Sequence, residues 1–310
     1  METAIKVEGI TKSYGSCVAL KGVSFDVGRG ELFGLIGPDG AGKTSLFRIL
    51  ATLLLADEGT AQLNGMDVVR DYQRIRRDVG YMPGRFSLYQ DLSVEENLSF
   101  FASLFGVDME RNKHFIEDIY SQIEPFKHRR AGKLSGGMKQ KLALCCALIH
   151  KPSILFLDEP TTGVDPVSRK EFWQILTRLK EEGITMMVST PYMDEAMLCD
   201  RMAMCNEGRF LTIDTPAGII AGYPYRLWAL SGKKMHGLLR CAREYPGVQY
   251  AYTFGEVHHL VFKEKNAEVD AFRDYLAQQG FEDVELKPDV AGIEDCYMAL
   301  TNDTEDGRGN

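Results

Sequence analysis

No apolar run in these 310 residues approaches the roughly 18 needed to cross a bilayer. The densest, LALCCALIH at 142–150, stops at Lys151. Basic charge is scarce: 36 Lys and Arg stand against 44 Asp and Glu, for a net charge of −8 and a pI near 5.4. That balance excludes a broad nucleic-acid face, which needs a basic surface, but leaves room for a small phosphate site with local positive potential. The amino terminus, METAIKVEGI, lacks a basic stretch followed by an apolar one, so no secretory leader is expected. The seven cysteines show no metal-type pairing, and adjacent thiols such as Cys145 and Cys146 chelate poorly, so all are read as reduced, buried thiols of a cytosolic protein. There is no internal repeat and no heptad run. What remains is a chain 45% apolar, long enough to bury one substantial core and a second, smaller one.

The pattern along the chain is that of an α/β protein. Residues 3–11 and 22–27 read as strands of a small antiparallel sheet, and Glu31–Ile36 as a buried strand. Helical spacing covers 45–54, 95–106, 111–124, 138–149 and 167–182. ILFLDEP at 154–160 and ITMMVST at 184–190 are further buried strands. Buried strands alternating with helices mean a mostly parallel sheet covered on both faces. Near Ala221-Gly222-Tyr223-Pro224 the composition shifts, dividing the chain into 1–221 and 222–310. The second part reads strand (225–230), helix (236–245), strand (248–254), strand (257–263), helix (267–279), strand (284–288), the ferredoxin-like order. A short helix at 293–301 and a polar tail follow.

Gly37-Pro38-Asp39-Gly40-Ala41-Gly42-Lys43-Thr44 satisfies G-x-x-x-x-G-K-[ST] between a predicted strand and a predicted helix. The glycines let successive backbone N–H groups curl around a phosphate at the positive end of a helix. Lys43 is placed for the β- and γ-phosphates and the Thr44 hydroxyl for Mg²⁺. The pattern identifies a nucleoside-triphosphate site. At the end of ILFLDEP, Asp158 is placed to hold Mg²⁺ through water. Glu159 has no charge partner nearby in sequence, which suits it to be the general base for an attacking water. Leu134-Ser135-Gly136-Gly137-Met138 opens another helix with a hydroxyl and free N–H groups, a second anion site. One chain needs only one of these for its own phosphates; a second chain, turned about a two-fold axis, could receive the other.

Taken together these stretches resemble the ABC ATPases, the nucleotide-binding subunits of ABC transporters. LSGGMKQ is similar to that family's signature, and DEPTTGVDP to its Walker B followed by a D-loop at Asp165. The resemblance covers residues 4 to about 220. It implies a P-loop fold with a RecA-like parallel core, a small antiparallel β subdomain and a helical subdomain. It further implies a head-to-tail dimer, with ATP held between residues 37–45 (Gly37 to Ser45) of one subunit and the Ser135 turn of the other, and Tyr14 stacked on adenine. The wording of GPDGAGKT, YMPGRFSLYQDLSVEENL, STPYMDEA and IEDCYMALT looks most like drug exporters whose ATPase is separate from a membrane permease. Such a subunit sits at the cytoplasmic face of the inner or plasma membrane, and segment 85–105 would form the groove for the permease's coupling helix.

Two positions depart from the family. Gly84 stands where it has a glutamine that touches Mg²⁺ and the attacking water, and Pro191 where it has a histidine that bonds the γ-phosphate. Gln90 lies too far along to substitute, and none of His114, His128, His150, His236, His258 and His259 falls in a motif that places it there. Losing one such contact commonly costs about 10²–10³ in rate, so binding should survive and hydrolysis slow. With the Ser135 turn intact, the expectation is a heterodimer in which this chain holds ATP and completes a competent site on a different ATPase subunit. A homodimer of two slow sites is the rival, as is Thr190 or a water replacing the histidine. Asp39, often asparagine in the family, carries no assigned role. A regulatory ATP-binding subunit, or an ABC ATPase acting on ribosomes or DNA, are the competing functions. The second fits poorly with one ATPase domain, no heptads and net negative charge. His258 and His259 point to opposite faces of a predicted strand, against a shared metal.

Overall fold

The computed structural model describes residues 2–264 and 269–306, with backbone alone for 303–306. It divides into two compact units, Met1–Ala217 and Gly218–Asn310.

In the first unit, β1 (Thr3–Tyr14) and β2 (Cys17–Gly28) run longer than expected, joined in one hairpin through Gly15 at φ +60°. β3 (Leu32–Ile36) is buried throughout. α1 (Lys43–Leu50) begins earlier than its apolar spacing indicated and stops well before residue 54. The cause is Thr52, held at φ +61° by two 2.7 Å bonds from Arg76 to its hydroxyl and carbonyl. β4 (Glu58–Leu63) and β5 (Met66–Asp67) complete an antiparallel sheet in the order β2-β1-β4-β5, and α2 (Tyr72–Asp78) leads into β6 (Val79–Met82).

α3 (Val94–Phe105) starts on a capping box, Ser93 accepting from the Glu96 N–H and Glu96 from the Ser93 N–H. The helix expected over 111–124 is instead α4 (Met109–Asn112) and α5 (Glu117–Tyr120), separated by a 3₁₀ turn and followed by another at Glu124–Phe126. Apolar spacing survives because Ile116, Ile119, Tyr120 and Ile123 still face the core. The axis breaks where the Asn112 amide donates to the Ile149 carbonyl at 2.8 Å.

After α6 (Gly136–Leu148) come β7 (Ile154–Asp158), α7 (Pro166–Glu181), β8 (Thr185–Thr190), α8 (Met193–Ala196), β9 (Arg201–Asn206), β10 (Arg209–Asp214) and α9 (Pro216–Ala221). The main sheet has the order β10-β9-β3-β8-β7-β6, parallel except for β10. Alternation along β7 sends Ile154 and Phe156 into the cluster that holds Phe47 of α1. Leu155 and Leu157 go into the opposite one, with Leu98 of α3, Leu142 of α6 and Leu176 of α7. Register does the rest: Ile36 lies beside Thr190, and Asp158 beside Ser189. The segments leaving β3, β7 and β8 therefore emerge together at one edge. Among the described residues no helix is long and apolar enough to cross a membrane.

The second unit contains β11 (Leu227–Gly232), α10 (Met235–Glu244), β12 (Val248–Phe254), β13 (Val257–Phe262), α11 (Val269–Gln278), β14 (Val284–Asp289) and α12 (Ile293–Asp306). Its antiparallel sheet, β12-β13-β11-β14, has the ferredoxin-like order. The first residues of the helix expected at 267–279, and the tail beyond 306, lie outside the described residues. His258 and His259 do part to opposite faces. His258 meets the Met235 carbonyl at 2.7 Å, while His259 bonds Asp295 of α12 at 2.6 Å.

Candidate active site

The loop after β3 owes its path to its glycines. Gly40 and Gly42 have φ of +82° and +94°, a region closed to most side chains. Beyond that, a Cβ on Gly37 would fall 2.3 Å from the Cys205 carbonyl oxygen, and one on Gly42 only 2.2 Å from that of Ala19. Ala41 closes the turn by donating to the Pro38 carbonyl at 3.2 Å. Gly42 then starts α1, whose first-turn N–H groups have no partner inside the helix.

A cavity of about 410 Å³ opens above this turn, lined by residues 39–45 together with Cys17, Ala19 and Glu159. Lys43, almost fully buried, points back into the loop. Its ammonium donates to the carbonyls of Gly37 at 2.8 Å and Pro38 at 3.0 Å, and pairs with Glu159 at 3.2 Å. Glu159, unpartnered in the linear sequence, thus has a charge partner in space. Thr44 and Ser45 line the same cavity, and Tyr14, half exposed at the end of β1, meets the Ser45 hydroxyl at 3.2 Å.

Asp158 is buried at the end of β7 and accepts from the Ser189 hydroxyl at 2.8 Å. The Glu159 N–H in turn reaches the Ser189 hydroxyl oxygen at 3.0 Å and its carbonyl at 3.1 Å, which holds Glu159 at φ +51°. Ser189 therefore anchors the Asp158 carboxylate and the Glu159 backbone. Its place in VSTP was visible, but its task follows only from the register of β8 on β7.

The two departures have distinct surroundings. A Cβ on Gly84 would lie 2.9 Å from the Asp158 carbonyl oxygen and 3.6 Å from the Glu159 Cβ, so any side chain here displaces backbone. Beside Pro191, Thr190 is no stand-in for a γ-phosphate ligand. It is fully buried, and its hydroxyl donates to Glu195 at 2.5 Å while accepting from the Tyr192 N–H at 3.0 Å. Gln90 lies in the turn before α3, its carbonyl accepting from Gly132 at 2.9 Å.

The Ser135 turn lines no part of this cavity. Ser135 caps α6, accepting from the Met138 N–H at 3.4 Å, and Leu134 is buried beneath it. A Cβ on Gly137 would come 2.6 Å from the Ser168 hydroxyl, so the turn packs closely on the start of α7, and Gly136 faces the Gly163 carbonyl. Asp165 caps that helix by accepting from the Ser168 N–H at 3.0 Å, which holds its carboxyl below the usual carboxylate range. The cysteine reading needs one correction: six are buried as expected, but Cys17 is exposed at the cavity wall.

The donor set fits a nucleotide with Mg²⁺. A cradle that excludes Cβ atoms, one buried lysine, one threonine at the cavity and one buried carboxylate leave an ion most of its sites for water and phosphate oxygens, as Mg²⁺ requires. Among the described residues no cluster of three or more acidic, His or Cys side chains offers an all-protein metal cage.

Known proteins share this design. Residues 20–162 match the family model described as ABC transporter. A probable multidrug ABC transporter ATP-binding protein of Escherichia coli is 43% identical over 220 residues, covering 69% of this chain and 38% of the relative. The chain thus spans well under half the length of that relative and of its Shigella flexneri counterpart. The Nod factor export ATP-binding protein I of Mesorhizobium japonicum is 33% identical over 302 residues, covering 96% of this chain and 86% of that one. Among solved structures, cbiO1 of Clostridium perfringens, part of an ABC transporter complex, has a TM-score of 0.64 at 26% identity. The match covers 72% of this chain and 92% of that one. This chain belongs to the ABC transporter family, with the fold of its ATP-binding cassettes.

Proposed function

We propose that the chain is the ATP-binding subunit of an exporting ABC transporter, that its own site binds ATP firmly and hydrolyses it slowly, and that it pairs with a different ATPase subunit. The observation that carries this reading is an intact cradle and base, with Gly84 against Asp158 and Pro191 just after the Thr190–Ile36 strand pair, neither bearing a side-chain group to bond the γ-phosphate. ATP entering the cavity would draw Lys43 from the Gly37 and Pro38 carbonyls onto its phosphates, with Tyr14 against the adenine. That movement breaks the Lys43–Glu159 pair and leaves Glu159 free to take a proton from water as its oxygen attacks the γ-phosphorus and the β–γ bridge breaks. Mg²⁺, held by Thr44 and through water by Asp158, would neutralise charge on the phosphates. Proline supplies neither donor nor acceptor from its side chain, and Gly84 has no side chain to orient the water. The Ser135 turn, complete, would serve the other subunit's ATP.

Export rests on the name of the Nod factor export relative, and a separate permease on the resemblance of the motifs. A groove of about 1120 Å³, lined by Leu53, Tyr72, Leu104 and Phe105 together with Gln73, Arg76 and Arg77, would seat an amphipathic permease helix. It takes in only the last part of segment 85–105.

The test is steady-state ATP hydrolysis by the purified chain, with Pro191→His and Glu159→Gln beside it. Slow native turnover, raised by Pro191→His and abolished by Glu159→Gln, is expected. Fast native turnover that Pro191→His does not raise would overturn the slow-site reading. Gly84→Gln is the poorer probe, since it must push against the Asp158 carbonyl.

A further inference from the structure

Pro191 contributes no hydrogen bond from its side chain, yet the turn around it is tied through Thr190 to one buried carboxylate. Glu195, on α8, is 2% exposed. One oxygen accepts from the Thr190 hydroxyl at 2.5 Å and the other from the Thr161 hydroxyl at 2.7 Å. Thr190 immediately precedes Pro191, and its oxygen also fixes the Tyr192 N–H at 3.0 Å. Thr161 lies two residues after Glu159, in a turn closed by the Thr162 N–H to the Glu159 carbonyl at 3.2 Å. Opposite stands Arg169 of α7. Its guanidinium lies 3.6 Å from Glu195 and 4.0 Å from the centre of the Tyr192 ring, covering the other flank of the turn. Three segments are thereby referred to one carboxylate: the exit from β7 that carries the base, the exit from β8, and the helix against which Gly137 packs.

A carboxylate buried this deeply is costly unless it is satisfied, and here both oxygens are, by hydroxyls from catalytic segments rather than from the core. We propose that Glu195 is a positioning residue for hydrolysis. It sets Glu159 and the residue 190–192 turn at a fixed separation across the phosphate site, a separation that in this chain no side chain at 84 or 191 helps to hold. Glu195 touches neither nucleotide nor water. The inference rests on the reading of the chain as an ATP hydrolase.

The variants are Glu195→Gln, Thr190→Val and Thr190→Ser, read in two ways. The first is amide hydrogen exchange of the nucleotide-free chain over residues 187–196, which requires no turnover. The second is kcat against KM for ATP in the Pro191→His background, where turnover is expected to be measurable. Expected are faster exchange at Tyr192 in Glu195→Gln and Thr190→Val but not in Thr190→Ser. In the same two variants kcat should fall by about 10²-fold, the usual consequence of an ångström-scale misplacement, with KM little changed. Unchanged exchange overturns the proposal outright. Faster exchange with unchanged kcat makes Glu195 merely structural and also overturns it. Should no variant turn over, with Glu159→Gln no different from Pro191→His alone, the hydrolase reading fails and with it the catalytic half of the proposal. The exchange data would then still decide whether Glu195 fixes the turn.

Discussion

Alanine at Gly42 and alanine at Gly40 should have very different consequences, although the two positions are two residues apart in one loop. Both have left-handed backbone, φ +94° and +82°, so either replacement costs about 1–2 kcal/mol in conformational strain. At Gly40 nothing lies within 4 Å of the new Cβ, and the cost ends there. At Gly42 the methyl would fall 2.2 Å from the Ala19 carbonyl oxygen and 2.9 Å from Leu20. The Ala19 oxygen belongs to the backbone of β2, so relief requires the strand itself to shift. Overpacking of this kind adds roughly 1–3 kcal/mol. A shift of 1 kcal/mol moves the midpoint of a unit this size by about 2–4 °C, so Gly40→Ala should lose a few degrees. Gly42→Ala should lose about twice that or more, and its ATP affinity as well, since the loop must open to make room. Scanning calorimetry and titration with a fluorescent ATP analogue measure both. Equal losses in the two variants would refute the reasoning, because the strain they share would then be all that matters.

Two further expectations follow from the same structure. Cys17 is the one exposed thiol of the seven and lines the phosphate cavity, so a maleimide should label it alone in the folded chain and Mg-ATP should slow that labelling. Labelling at native rate in saturating ATP would put the nucleotide elsewhere. Burial raises the Glu31 carboxyl above its usual 4.5, against the opposing pull of the Gly28 N–H and Arg201. A raised acid favours folding while it is protonated, and that contribution is lost as pH climbs from about 4.5 through the folded-state value. Glu31→Gln should therefore gain thermal stability relative to the native chain as pH is raised from 4.5 to 7, and a difference independent of pH would count against this assignment.

The sequence showed most where chemistry demands fixed residue types. The phosphate loop, the Asp158–Glu159 pair and the Ser135 turn occupy places their spacing implied, because glycine at left-handed positions and carboxylates at a strand end have few substitutes. β3, β7 and β8 were visible as short, largely apolar runs between helical segments. Less visible were β4 and β5, α2 and β6, whose mixed burial gives neither a period of two nor of 3.6. The region 109–126 kept helical spacing while breaking its axis at Asn112, a bond to a residue far along the chain. Ser189, Thr161 and Glu195 could not be assigned from sequence for a related reason. Their work is set by strand register and by partners dozens of residues away, and an isolated serine, threonine or glutamate looks like any other.

Whether this chain's own site keeps ATP rather than consuming it is tested most directly by the nucleotide it retains. The purified chain would be incubated with Mg-ATP and a partner ATPase subunit, freed of unbound nucleotide, and its bound nucleotide identified after trapping by a photoreactive ATP analogue linked to this chain alone. A triphosphate on this chain while the preparation turns over is the predicted result. A diphosphate, formed here as fast as the preparation hydrolyses ATP, would contradict it and make Gly84 and Pro191 substitutions without kinetic consequence.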